Sequence, residues 1–112
     1  MIHGEWKTVT IANNATESDL VDLGRHYEWA VIDVPTIDTA TLTVMSLSLY
    51  GRTVRPVYTT DPADGNNTKI ISASGEGNFL WIVPLGSLQW IRLRSNAAQS
   101  PARTFYICGA RS

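Results

Sequence analysis

Charge, cysteine and long apolar runs are all scarce in this chain, and each shortage excludes a class of protein. Only 17% of the 112 residues are Asp, Glu, Lys or Arg, and the net charge is −1. A field this weak does not favour binding to nucleic acid or to an anionic membrane. The longest apolar run, residues 79–83, is far shorter than the ~20 residues that a membrane-spanning helix needs. We therefore expect neither a nucleic-acid partner nor a membrane partner.

A single cysteine, Cys108, rules out an intrachain disulfide and removes any need for an oxidising compartment. The N-terminal residues contain neither a basic start nor an apolar stretch, so we expect no export signal and assembly in the cytoplasm. The length fits one domain, residues 1–112, with residues 1–7 as an N-terminal arm.

The residue types needed for catalysis are also scarce. Nucleophilic catalysis needs a nucleophile, a base and an orienting group, and His3 and His26 are the only histidines. We interpret Cys108 as a small buried hydrophobic residue of a strand rather than as a nucleophile. The turn at residues 61–66 misses the ligand spacing of a calcium loop because Ala63 occupies a ligand position. We therefore predict no catalytic residue, no cofactor-binding residue and no metal ligand, and a protein that is not an enzyme.

What the chain has instead is twelve Thr, nine Ser and six Asn, a composition typical of β proteins. Apolar and polar residues alternate in many segments, whereas helical periodicity does not recur. The alternating segments are spaced by roughly eight to twelve residues. This pattern predicts an all-β fold, a single antiparallel β-sandwich of the jelly-roll type with about eight short strands.

Individual segments allow more detailed predictions. Residues 26–34 predict a strand that Pro35 ends, and residues 79–83 predict the most deeply buried strand. Residues 41–49 switch their apolar face midway, which predicts a β-bulge or a strand that leaves one sheet for another. Because Pro56 is not tolerated in a central strand, its short strand should lie at a sheet edge.

The last two predicted strands each have an inward apolar face. Residues 84–87 predict a connection, and the strand that follows turns Ile91 and Leu93 inward. The last strand turns Phe105 and Ile107 inward. The outward positions of the first of these two strands are Trp90, Arg92 and Arg94.

Tryptophan and arginine are more abundant than a core of this size requires. Trp29 and Trp81 lie in apolar strands, so we expect both in the core. Trp90 shares its face with two arginines, so that this face is either half exposed or meets another protein. Because Arg and Trp are enriched at interface cores, we predict an interface there, with ordinary solvated arginines as the alternative. The predicted interface residues are Trp6, Trp90, Arg92, Arg94, Arg52, Arg55 and Tyr58.

Two stretches of sequence resemble a known family. Residues 10–15, TIANNA, followed by DLG at residues 22–24, resemble the opening of small β-sandwich virion proteins of tailed bacteriophages. In that family a pattern TIANGA…DLG precedes a hydrophobic strand that ends near a proline, as residues 34–35 do here. Residues 91–99, IRLRSNAAQ, together with Arg103 are similar to the family's late pattern IKIRSG…Q…R.

The likeness covers most of residues 8–112, although Asn14 and Asn96 stand where the family has glycine. It implies a virion protein: a capsid decoration or cement protein, the base of a head fibre, or a tail or neck component. The implied partners are phage capsid or tail structural proteins and further copies of the chain, most plausibly in a trimer. No catalytic residue and no cofactor is implied.

Two functions remain open at this point. The first is a structural protein that binds neighbouring virion subunits and stabilises them. The second is a carbohydrate-binding module for adsorption to a host surface, because exposed aromatic side chains on a β-sandwich can also stack on sugars. The absence of an export signal and of an attached catalytic domain favours the first.

Overall fold

The computed structural model describes residues 2–48, 53–60, 65, 67–69, 72 and 75–111. Described residues form nine strands: β1 (Ile2–His3), β2 (Lys7–Ile11), β3 (Val21–Ala40), β4 (Leu42–Ser48), β5 (Thr53–Pro56), β6 (Tyr58–Thr60), β7 (Asn67–Lys69), β8 (Gly75–Ser95) and β9 (Arg103–Arg111).

Seven of these strands form one antiparallel sheet that curls strongly into a half-barrel. Its strand order is β1-β9-β3-β8-β4-β5, with β2 also paired to β9, while β6 and β7 form a separate hairpin. The all-β prediction is confirmed. The described residues do not divide into two sheets packed face to face, because β3 and β8 run for 20 and 21 residues and bend across the whole half-barrel. The N-terminal segment that was considered as an arm pairs through β1 with the end of β9.

Two prolines lie inside these long strands, contrary to the prediction that they end or interrupt them. β3 continues past Pro35 to Ala40, and β8 runs through Pro84 where a connection was predicted. Pro84 lies opposite Trp29 next to a register shift between the two strands. Such irregular positions are where a sheet tolerates a residue without an N–H donor, so proline bends the strand without breaking it.

The core lies inside the curl, against the inner face of the sheet. The predicted inward residues are confirmed, since Ile91, Leu93, Phe105 and Ile107 are all fully buried. The other buried hydrophobic residues that pack with them in this cluster are Val9, Ile11, Leu23, Tyr27, Ala30, Ile32, Val34, Ile37, Ala40, Leu42, Val44, Val83 and Leu85.

Strand β4 is regular, and the prediction of a bulge or a change of sheet in residues 41–49 is wrong for its described part. Its pairing with β8 and with β5 shows no register shift, and Leu49 lies outside the described residues. Met45 points to the outer face and is nevertheless buried, with Pro56 and Arg92 as its cross-strand neighbours. The prediction for Pro56 is confirmed, because β5 is the last strand of the sheet.

Two residues of the motifs that carry the family resemblance have positive φ values. The Gly24 N–H donates to Asp22 Oδ1 over 2.8 Å, and Gly24 has a φ of 91°, which favours glycine. Asn14 has a φ of 66°, and asparagine is the best substitute for glycine in this conformation. Asn14 lies in the turn that follows β2, and Gly24 lies within β3 where its register with β8 shifts.

A buried glutamine holds the loop between β8 and β9. Gln99 Oε1 accepts the Asp38 N–H over 2.8 Å, and its Nε2 donates to Ser95 Oγ over 3.0 Å. The Gln99 N–H donates to the Ala15 carbonyl over 3.1 Å, and the Gln99 carbonyl accepts the Asn14 N–H over 2.7 Å. This glutamine thus joins the loop to the turn that precedes Glu17.

Candidate protein interface on the outer face

Several large hydrophobic side chains are exposed to solvent. Among the described residues these are Trp6, Trp29, Tyr58, Leu80, Ile82 and Tyr106. Leu80 and Ile82 are the most exposed of them, at 67% and 66%. Four of the six lie on the adjacent strands β8, β3 and β9, which makes them candidates for one surface.

The strand register brings these four together. Directly paired residues of antiparallel strands have their side chains on the same face, only about 5 Å apart. Read across β8, β3 and β9, three successive outward rows are Pro84–Trp29–Ala110, Ile82–Val31–Cys108 and Leu80–Asp33–Tyr106. We call the surface formed by Trp29, Val31, Leu80, Ile82 and Tyr106 the outer apolar patch.

The patch corrects two predictions. Residues 79–83 were predicted to form the most buried strand, but two of them are more exposed than any other large hydrophobic residue described. Trp29 was predicted in the core and is 44% exposed, whereas Trp81 is partly buried and packs against the core. A single curled sheet has only one covered face, so every second residue of an apolar strand must point outward.

The size of the patch is notable for a chain of this length. Side chains of this kind expose roughly 150–250 Å² each when uncovered, so the four partly exposed ones present about 450 Å² of apolar surface. Patches of about 300–600 Å² are the largest on a typical monomer and often mark binding sites. Asp33 is exposed within it, between Leu80 and Tyr106. The arrangement suits contact with an apolar protein surface that offers a hydrogen-bond donor.

The predicted arginine interface lies further along the same outer face. Trp90, Arg92 and Arg94 alternate along β8, and Trp90 is half-buried. Arg92 Nη1 lies 3.5 Å from Glu17 Oε2, and Arg94 Nε lies 3.8 Å from Glu17 Oε1. One carboxylate therefore holds both guanidinium groups within the chain.

The other predicted interface residues are not assembled with these three. Trp6 is 55% exposed and lies between β1 and β2, at the edge of the sheet opposite β5. Arg55 is exposed on β5, and Tyr58 is 53% exposed on the separate hairpin. Arg52 lies outside the described residues.

A separate cleft has several charged residues in its lining. It has a volume of about 590 Å³ and is lined by His3, Gly4, Glu5, Lys7, Leu23, Gly24, Arg25 and Tyr27. Within it, Lys7 Nζ lies 3.6 Å from Glu5 Oε2. Hydrogen bonds from the Gln89 side chain and from the Gly24 N–H lower the pKa of Asp22, close to this cleft in sequence.

In the described part of the chain, no three His, Cys, Asp or Glu side chains come together as metal ligands would. The calcium-loop turn lies outside that part except for Gly65. Across the same residues, no helix is long and apolar enough to cross a membrane.

Comparison with known proteins supports the fold but gives no family. No family model matches the chain, and no curated protein matches it. The SPBc2 prophage-derived protein YomS superposes with a TM-score of 0.57 at 12% identity, covering 97% of this chain and 95% of YomS. The Yersinia pseudotuberculosis-derived mitogen has a TM-score of 0.42 at 10% identity, covering 96% of this chain and 85% of the mitogen.

A chain of the cyanophage Pam1 capsid asymmetric unit has a TM-score of 0.33 at 16% identity, covering 98% of this chain and 88% of that one. The TM-scores of the mitogen and of the capsid chain are too low to support a conclusion about this chain. The likeness that remains is one of fold, and it is shared along nearly the whole of both chains: this chain folds like the prophage-derived protein YomS.

Proposed function

We propose that this chain is a non-enzymatic structural protein of a bacteriophage particle that binds neighbouring virion subunits. The outer apolar patch is the observation that carries this proposal, because about 450 Å² of apolar surface in contact with water favours association. The fold shared with a prophage-derived protein supports the phage setting. Within that setting we favour a capsid decoration protein or the base of a head fibre.

The low charge of the chain is consistent with this role. With a net charge of −1, two copies or a copy and a capsid subunit repel each other little as they approach. A virion also presents many identical binding sites, and linked copies gain avidity even when each contact is modest. A small protein with one apolar surface can therefore occupy a particle stably.

Gradient purification of phage particles tests the proposal. The chain carries an affinity tag, is produced during phage growth, and is measured in the particle fraction and in the soluble fraction. We expect it in the particles, with at least about a tenfold loss of occupancy when Leu80 and Ile82 are both changed to Ser. Ala98→Ser, in an exposed loop outside the patch, is the matched control. Recovery of the unaltered chain only in the soluble fraction would contradict the proposal.

A carbohydrate-binding module is the second candidate, favoured by Trp6, which is exposed next to residues of the polar cleft. An exposed indole ring can stack on a sugar face. Titration with a panel of bacterial surface glycans should then quench tryptophan fluorescence, and Trp6→Ala should abolish the response. A flat response across the panel would remove this candidate.

A further inference from the structure

We propose that the outer apolar patch binds a second copy of this chain, across a two-fold axis that passes by Val31 and crosses the strands. The inference rests on the proposed function in one respect, the use of this surface for binding protein. It goes further by making the neighbouring subunit that the patch binds a second copy of the chain, which leaves contact with the rest of the particle to other surfaces, and by naming the register in which the two copies meet.

The first argument is the symmetry of the patch around Val31. Trp29 and Asp33 lie on the same face of β3, two residues to either side of Val31. A two-fold axis that crosses the strands reverses the order of the rows, so Trp29 of one copy faces Asp33 of the other. The indole N–H can only donate a hydrogen bond, and the carboxylate can only accept one. The two-fold axis therefore creates two matched Trp29–Asp33 pairs.

The second argument is the match in size on either side of these pairs. In the same arrangement Leu80 of β8 faces the smaller, exposed Pro84 of the other copy, and symmetry makes this contact twice. Tyr106 of β9 lies over Ala110, which is only 7% exposed, so the ring meets a nearly flat surface there. These contacts allow two sheets to approach and pack at the density of a protein interior.

The third argument concerns the competing arrangement. An axis parallel to the strands keeps the row order, so Asp33 of one copy would face Asp33 of the other. Two carboxylates would then face each other with no hydrogen-bond donor between them, and setting like charges against each other is strongly unfavourable. The single charge of the patch therefore selects the arrangement in which the rows are reversed.

The available area fits a dimer of ordinary size. A standard interface covers about 800 Å² on each partner, and somewhat more than half of a typical interface is apolar. The exposed side chains of the patch present about 450 Å², which is as large as the apolar part of such an interface. Because the sheet curls away on both sides, contact is confined to β8, β3 and β9, so we expect a dimer that dissociates on dilution.

Light scattering and sedimentation of the purified chain over a range of concentrations test this inference. The unaltered chain should pass from monomer to dimer as its concentration rises. Trp29→Asp should weaken self-association by at least about 100-fold, because on each side of the axis the new carboxylate faces Asp33 of the other copy. Adding Asp33→Arg to that variant should restore the dimer, since each new carboxylate then faces a guanidinium group. Both variants alter exposed side chains, and circular dichroism checks that they fold.

A cross-linking experiment tests the position of the axis separately. In a Cys108→Ala background, a short bismaleimide reagent should cross-link Val31→Cys between copies, because the two residues face each other at the axis across the about 10 Å that separates packed sheets. Thr104→Cys, exposed on the same face of β9 but outside the three rows, should not be cross-linked.

Each outcome separates this inference from the proposed function. A chain that is monomeric at every concentration but is present in purified particles overturns the dimer and leaves the virion role standing. A trimer, as the family resemblance implies, overturns the two-fold arrangement, and so does a double variant that remains monomeric. A dimer with the expected cross-link, in a chain missing from particles, supports the pairing and contradicts the virion role.

Discussion

The two ends of β8 present different surfaces on the same outer face of one strand. Near its start, Leu80 and Ile82 project into solvent without partners among the described residues. Near its end, Arg92 and Arg94 are both held by Glu17. The arginine end, which composition marked as an interface, therefore has an ionic partner inside the chain, although Arg92 Nε is buried without a hydrogen-bond partner. No residue that the structure describes covers the apolar end.

The two ends of β8 differ because a short segment of the chain is bonded beside the arginine end. The Ser18 N–H donates to the Leu93 carbonyl over 2.9 Å, and the Ser95 N–H donates to the Thr16 carbonyl over 2.7 Å. This short segment carries Glu17 onto the arginines. No comparable segment among the described residues covers the outer apolar patch. A charged surface with an internal partner is thus a weaker sign of binding than an apolar surface without one.

The largest expected effect is the difference in unfolding free energy between substitutions at two leucines of β8, one buried and one exposed. Leu85→Ala removes a side chain that is only 3% exposed and should reduce the free energy of unfolding by about 3 kcal/mol. Leu80→Ala removes one that is 67% exposed and should change it by less than about 0.5 kcal/mol in the monomer. Urea denaturation at low protein concentration measures both. Equal losses would show that Leu80 is covered within its own chain.

Loosening the segment that carries Glu17 should give the next largest effect. Gln99→Ala removes a fully buried side chain and leaves the partly buried Asp38 N–H without its acceptor, which should cost about 1–3 kcal/mol in the free energy of unfolding. The segment should also become less protected in hydrogen exchange at residues 14–18. Unchanged exchange there would mean that the backbone bonds alone hold it.

Removing the carboxylate between the arginines should have a smaller effect. Glu17→Gln breaks two ion pairs at 3.5 and 3.8 Å, and partly exposed pairs of this kind contribute about 0–1 kcal/mol. Thermal denaturation measures the loss, with Glu76→Gln as an exposed control on β8. If instead Glu17→Gln raised occupancy on phage particles, the arginine end would itself be a binding surface that Glu17 masks.

The smallest expected effect is a change in acid stability at Asp22. Its hydrogen bonds lower its pKa in the folded chain, so the charged form stabilises the fold at neutral pH. That contribution is lost as the pH falls below about 4, through the lowered pKa of the folded state. The difference in unfolding free energy between the unaltered chain and Asp22→Asn should therefore narrow in acid. A constant difference at all pH values would contradict this.

The sequence predicted the inner face of the fold well and the outer face poorly. Alternation identified Ile91, Leu93, Phe105 and Ile107 as inward residues because that signal is local. The number of layers covering a strand is not local, so Trp29 was predicted in the core. The alternation of residues around Trp29 was the signal that could have placed it correctly. In a single sheet, the apolar side chains on the face opposite the core must be exposed.

Long-range partners were equally hard to foresee. The ion pairs of Glu17 with Arg92 and Arg94 join residues more than seventy positions apart. No local sequence pattern predicts such a pairing. The same holds for Gln99 and Asp38, 61 positions apart. Two residues of the motifs that carry the resemblance, Asn14 and Gly24, have positive φ values, a backbone conformation that few residues accept.

The pairing of β1 with the end of β9 has a mechanical consequence. Ile2 lies opposite Arg111, so the two ends of the described chain leave the sheet side by side. A tensile load applied between them would separate β1 from β9 one bonded pair at a time, like a zipper, instead of shearing the strands along their length. A load that reaches the molecule through its broad face would be spread over many strands at once. An unfolding experiment that pulls on the two ends should therefore record low rupture forces even if the chain is hard to melt by heat.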